Sequence, residues 1–466
     1  MRPLLAINLT AFALCAPPPT TATETQIAIP RIEQMPNLPE PYHMRDWQQV
    51  AHDFDTLAFD FERQGEHLPI ISWATGGGVV DRPKVFAIPT FIGWNHEGYE
   101  AITCLGAVNA ATVAGIDKSD QDGMDWVALC ANYFNDHPGI QLYLNNDNSD
   151  TGGSFWYEIF PNILFYRIVS AYPDTPKMAE QFIAVAEQWY AASVAMGGSA
   201  VPWALPNYDI TAYNFTTGEL VNNGLWTEGG SAAGIAWLQY MAYTQTQNEK
   251  YLNAAKWGME YLDQATKNPY YEILFPHSTY LAARMNAELG THYDVTKLIN
   301  WSLEGNNRRK WGDSVGKWGT MDFSAVTCSL DGNDAGSYGF AMNTFNKANS
   351  LVPMVRYDKR YAVPSVNGPL TPPTASASSM PTACPPISRP TLHGPTNTTP
   401  TRPSPTRACA PCKPTSVACA PTTKPCTAPS PKVATYNRSL PTSNTNASKP
   451  SKSTANNASN TSGKST

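Results

Sequence analysis

The chain has 466 residues and a net charge of −6, and neither its 13 tryptophans nor its 40 prolines are evenly spread. Length alone admits roughly two or three domains, but composition breaks near residue 362: every tryptophan lies between Trp47 and Trp318, and the one aromatic residue beyond Ala362 is Tyr436. The tail holds ten Lys/Arg and no Asp or Glu, so the body before it carries −16, which argues against nucleic acid as its ligand.

In chain order, residues 1–22 read as a secretory signal: Arg2, an apolar run to Leu14, then small residues at Cys15 and Ala16. That run is too short for a membrane span and no adequate one follows, so an extracellular protein without a membrane span is expected. Sequons at Asn214 and Asn300 in the body, and at Asn397, Asn437, Asn446, Asn457 and Asn460 in the tail, suit export. With a polar C-terminus, no lipid anchor is expected. An extended leader is expected over 23–40, one folded body over 41–362, and a Pro/Thr/Ser/Asn-rich disordered tail over 363–466 that buries too little apolar surface to offset its entropy.

Within the body, Trp47, Val50, Phe54, Leu57 and Phe61 predict a helix over 44–64 that Gly65 ends. Gly76–Gly78 form no phosphate loop, because no Gly-Lys-Ser/Thr follows. Nine more helices are predicted over 98–116, 123–136, 154–172, 176–197, 231–246, 249–266, 275–290, 294–305 and 338–357, with almost no strands. Thr175-Pro176 reads as a cap and first helical residue, and Gly197-Gly198 as a stop. Met178, Phe182, Val185 and Trp189 make one buried stripe; Leu252, Ala255, Met259 and Leu262 make another. Short connectors such as Thr246–Asn248 pair the helices into hairpins. A solenoid would repeat itself every roughly 34–45 residues, and no such repeat is found. Tight turns alternating with long loops rich in Trp, Gly, Asn and Asp suit an all-α closed ring instead.

Asn223-Gly-Leu-Trp226-Thr-Glu228-Gly-Gly-Ser231 places a carboxylate beside an indole and paired glycines, just before a helix whose apolar residues fall at Ile235, Leu238 and Met241. An acid there can act as a proton donor, or simply complement the helix dipole. Asp334 and Asp322 lie in other long loops, where they can serve as a partner base or bond their own backbone as turn residues. Trp94, Asn95, His96 and Glu97 open the 98–116 helix and read as substrate-binding or capping groups; with Glu100 in the fifth position from His96 this is not a zinc motif. Trp156 and Glu158 open the next helix, Glu158 being an alternative acid. Indoles beside loops, Trp156, Trp226 and Trp318 among them, suit sugar stacking, although core packing should claim many.

Asp147 to Gly152 with Glu158 follows a calcium-loop spacing in outline, but Ser149 and Thr151 stand where carboxylates or amides are usual, so an exposed polar loop is expected. Cys409 and Cys412 lack a second pair and a nearby His, so no metal site is expected. Cys104, Cys130 and Cys328 leave a disulfide plus a free thiol open.

Trp226-Thr-Glu228 before Ile235-Ala-Trp237-Leu, the partner start Asn248-Glu-Lys-Tyr251-Leu-Asn-Ala254-Ala, and Tyr338-Gly-Phe-Ala-Met-Asn-Thr344 resemble the six-hairpin glycosidase superfamily over residues 40–362. The resemblance implies an (α/α)6 barrel of twelve helices, two more than the ten predicted, so the toroid is either complete through helices hidden in loops or short of one hairpin. It also implies a glycoside hydrolase, with an endo-β-1,2-glucanase as one branch, Glu228 as acid, and Asp334 or Asp322 as base. The expected partner is a polysaccharide or oligosaccharide, with no cofactor, for a monomer. A carbohydrate-binding inactive relative is the alternative. A polysaccharide lyase would need cations against a uronate, and Arg308-Arg309-Lys310 is the one cluster that suits it.

Overall fold

A computed structural model describes residues 24–35, 46–74, 84–90, 99–145, 151–305, 311–318, 321–322, 324–329 and 341–367. All of them belong to a compact unit, Met1–Thr415; the second unit, Ser416–Thr466, lies outside the described residues. The expected signal and nearly all of the expected tail are likewise outside them.

The protein is mainly α, with twelve helices among the described residues. They are α1 (Pro30–Glu33), α2 (Trp47–Ala58), α3 (Ala101–Val113), α4 (Trp126–Cys130), α5 (Phe155–Ala171), α6 (Met178–Ala195), α7 (Ser231–Thr246), α8 (Glu249–Gln264), α9 (His277–Leu289), α10 (Val295–Glu304), α11 (Ala341–Met354) and α12 (Ala362–Asn367). Each of the ten helices predicted from periodicity is present. The two beyond them are short: α1 lies within the stretch expected to be extended, and α12 runs across the expected break at residue 362. Strands of two or three residues form antiparallel pairs in the loops, such as Ala212–Asn214 with Glu219–Val221. These ladders satisfy loop backbone groups that the helices cannot reach.

Burial sorts the helices into two kinds. In α5 and α7 buried residues run round the whole circumference, Ile159, Ile163 and Phe165 in one and Ala233, Ile235 and Leu238 in the other, which marks interior helices. In α8 the predicted stripe Leu252, Ala255, Met259 and Leu262 is buried, and the opposite face is polar. α3 packs on α5, α5 on α7, α7 on α9 and α9 on α11, while α6 and α8 pack behind α7. α7 and α8 approach closely enough that a Cβ on Gly258 would stand 2.6 Å from the Ala232 carbonyl oxygen. Trp47 of α2 meets Phe345 of α11 with ring centroids 6.4 Å apart. Near the two ends of the described body, the Ile27 N–H donates to the Arg360 carbonyl at 2.9 Å.

Three local predictions are corrected. α2 stops at Ala58, and within it Phe54 is 48% exposed where Asp55 turns inward; Phe59 and Phe61 lie beyond the helix and pack on Trp126. α6 starts at Met178 rather than Pro176, because Lys177 takes a left-handed conformation (φ 70°) that interrupts a helix begun earlier. The 123–136 helix shrinks to α4 and one 3-10 turn, and the chain then enters a strand at Phe134–Asn135. Cys104, Cys130 and Cys328 are all buried, and none of the three forms a disulfide. No helix among the described residues is long and apolar enough to cross a membrane.

Candidate active site

The site is built on the N-terminal ends of α5, α7 and α9. The first turn of any helix leaves N–H groups without intrahelical acceptors. At α5 that need is met from another loop: the Trp156 N–H donates to Glu228 Oε2 at 3.2 Å. Ser154 Oγ donates to Glu228 Oε1 at 2.7 Å, and Trp226 Nε1 donates to the same oxygen at 3.1 Å. Glu228 is held in turn by its own backbone, whose N–H donates to the Ile210 carbonyl at 2.7 Å. The glycines that follow serve close approach. A Cβ on Gly229 would stand 2.6 Å from the Tyr261 hydroxyl, and one on Gly230 3.0 Å from the Pro269 carbonyl.

Glu158, in the first turn of α5, folds back so that Oε1 accepts from the Gly152 and Gly153 N–H groups at 2.6 and 3.1 Å. Its Oε2 is buried with no hydrogen-bond partner. Glu228 is 2% exposed and Glu158 4%. Burial pushes the Glu158 carboxyl up to about 8, against its backbone donors, with the Glu228 charge adding to the rise. Burial also lifts Glu228 to about 7, against Ser154 and Trp226, with Glu272 adding to the rise. Among the described residues only neutral donors bond to these two carboxyls, and they offset part, not all, of the cost of desolvating the charged form.

Aromatic plates flank the pair. Trp226 and Tyr271 stack with centroids 6.1 Å apart and planes 6° from parallel; Trp156 and Phe160 stack at 4.6 Å. Beside Thr227 and Gly229 opens a cleft of about 920 Å³, also lined by Asp209 and Tyr261. The Tyr261 hydroxyl donates to Asp209 Oδ1 at 2.7 Å.

Of the residues singled out from sequence, the structure brings Glu228, Glu158, Trp156 and Trp226 together. Trp94, Asn95, His96, Glu97 and Asp334 lie outside the described residues. Asp322 and Trp318 sit on a two-rung hairpin opposite Lys317 and Met321, described in backbone alone. Glu272 and Asp209 were missed. A signal for Glu272 was present: Trp156-Tyr-Glu158, Trp226-Thr-Glu228 and Tyr270-Tyr-Glu272 repeat aromatic-x-Glu at the starts of α5, α7 and α9. Asp209 has no such pattern around it. Among the described residues, no group of three or more His, Cys, Asp or Glu side chains is placed to hold a metal ion.

A carboxyl pair with raised pKa values can donate a proton and accept one near neutral pH, the minimum equipment for acid/base catalysis. Compared with family models, curated proteins and solved structures, the chain matches none.

Proposed function

We propose that this protein is a secreted, monomeric glycoside hydrolase whose helices form an (α/α)6-type toroid and whose acid/base pair is Glu158 and Glu228. The observation that carries the reading is two buried carboxyls meeting at one helix terminus with pKa values lifted to about 8 and about 7. Glu158 stays protonated through neutral pH and serves as the acid. Glu228, receiving three hydrogen bonds that favour its charge, ionises first and serves as the base or nucleophile. This exchanges the role first expected of Glu228, and rim aspartates such as Asp334 and Asp322 become secondary. The flat Trp226–Tyr271 pair suits the C–H face of a sugar ring. The toroid reading is supported by the succession α3, α5, α7, α9, α11 and by the Trp47–Phe345 contact between α2 and α11.

One observation favours the non-hydrolytic carbohydrate-binding alternative: two of the three donors on Glu228, Ser154 Oγ and the Trp156 N–H, belong to the N-terminus of α5, so capping that helix accounts for them without catalysis. Reducing-sugar release from a panel of polysaccharides separates the two. Glu158→Gln and Glu228→Gln should each lower turnover about a hundredfold or more while circular dichroism stays unchanged. Turnover at wild-type level in both variants would remove the catalytic reading. Glycan retention without turnover in the wild type would support the binding one, and ultraviolet-absorbing unsaturated products would indicate a lyase.

A further inference from the structure

The cleft beside Thr227 and Gly229 has a volume of about 920 Å³. That is near the top of the roughly 300–1,000 Å³ range of ligand pockets, and more than one sugar ring fills. Its polar groups stand ready for a ligand. Asp209 is exposed; its Oδ1 accepts from the Tyr261 hydroxyl, and no described residue bonds to its Oδ2. Gln264 and Lys267, on the same wall, are exposed, and their side chains bond to no described residue. One carboxylate and one ammonium leave the wall without net charge, and the body around it carries −16. Nothing here draws a polyanion.

An indole stands on the same side of α8. Trp203 lies on a hairpin that pairs Ser199–Ala200 with Trp203–Ala204. Its Nε1 donates to Glu260 Oε2 at 2.8 Å, and its ring leans on the buried Trp257 with centroids 5.9 Å apart. Six residues on, Asp209 meets Tyr261, and Tyr208 packs on the same ring at 5.1 Å. Trp257 and Tyr261 are four residues apart, so they share one face of α8 at a spacing of about 6 Å along its axis. The stretch from Trp203 to Asp209 therefore runs beside α8, with the indole at one end and the cleft wall at the other. Pinned at its nitrogen and on the Trp257 side, Trp203 is still 43% exposed. A plate already fixed in place loses little conformational freedom when a ligand covers it.

We propose that the cleft and Trp203 form one binding track for a chain of neutral sugars several rings long. The cleft holds the rings nearest Glu228, where sugar hydroxyls donate to Asp209 Oδ2 and bond to Gln264 and Lys267. Trp203 carries a ring further along the chain, its indole against the sugar's C–H face. The inference rests on the carbohydrate reading above and names its substrate class: a neutral polysaccharide rather than a disaccharide or a uronate polymer. It concerns binding and uses neither carboxyl assigned to proton transfer.

Isothermal titration of the full chain, in wild-type and Glu228→Gln forms, tests it with gluco-, xylo- and manno-oligosaccharides of two to six units and with a galacturonate hexamer. In the series that binds, affinity should rise about tenfold from dimer to hexamer, and the galacturonate hexamer should bind more weakly than the neutral one. Trp203→Ala should remove the gain for the hexamer and leave the dimer unchanged, whereas Asp209→Ala should weaken every length several-fold. Should Trp203→Ala fail to fold, Trp203→Leu keeps apolar volume without the flat face and should lose the same gain. Length-dependent binding without turnover would keep the track and remove the hydrolase reading; turnover with affinity independent of length would do the reverse. The proposal is also overturned by no saturable binding of any neutral series at millimolar concentration, by tighter binding of the galacturonate hexamer, or by hexamer affinity unchanged in the tryptophan variant that folds.

Discussion

Asp55 and Glu228 are both almost fully buried, at 3% and 2% exposure, yet the protein treats their charges in opposite ways. Asp55, on α2, meets the Lys118 ammonium at 2.8 Å and accepts from Gln121 Nε2 at 2.6 Å. Lys118 lies 3.2 Å over the Phe59 ring, and burial lowers its pKa against the pull of Asp55. Glu228 meets hydroxyl, indole and backbone N–H groups, all neutral. Equal burial thus yields a fixed ion pair in one region and a titratable proton in the other. What separates them is one cation. Neutral donors orient a carboxylate but do not offset the whole cost of desolvating it.

The largest expected effect comes from removing that cation. Lys118→Met leaves Asp55 buried and unpaired and should cost about 3–5 kcal/mol in urea unfolding. Adding Asp55→Leu should restore most of the loss, because the pair is then replaced by apolar volume. A single variant as stable as the wild type would break the comparison.

The second effect is in pH dependence. Glu158 and Glu228 rise from an ordinary 4.5 to about 8 and about 7. The folded chain therefore keeps protons that the unfolded chain releases, and their contribution is fully present below pH 4.5. It declines as pH rises through 7 and 8. Thermal midpoints should fall across that window, and Glu158→Gln should flatten its upper part. A midpoint independent of pH between 5 and 8 in the wild type would contradict the assignment of a raised pKa to either carboxyl.

The smallest effect sharpens the role of the donors. Ser154→Ala removes the shortest hydrogen bond onto Glu228 and should cost about 1 kcal/mol. Because that hydroxyl lowers the Glu228 pKa, its loss should also move Glu228 further upward, which a carboxyl-selective NMR titration would read. A downward shift would mean that burial is not what raises it.

Helix periodicity was legible wherever a helix keeps one polar face. The Leu252, Ala255, Met259 and Leu262 stripe of α8 is buried as predicted, because solvent on the far side of the helix keeps the pattern clean. The pattern failed where partners decide. Phe54 has the spacing of a core residue, yet Asp55 is the one that turns inward, since Lys118 waits there from a loop sixty residues on. Thr175-Pro176 looks like a helix start, but the backbone turns left-handed at Lys177. Glu228 was legible as an acid at a helix entrance. Its pairing with Glu158 was not, because the helix it caps is α5 rather than α7, which follows it in sequence.

By itself the sequence determined a mainly helical body and the composition break beyond it, together with acids and indoles placed where helices begin. Those properties are local: periodicity, capping and composition act within a turn or two of chain. Tertiary structure alone decided which buried carboxylate receives a lysine and which only neutral donors, and it left His277 Nε2 buried without a hydrogen-bond partner. Electrostatic cost depends on what stands within a few ångströms in space, and across these helices that neighbour is 63 to 74 residues away in sequence.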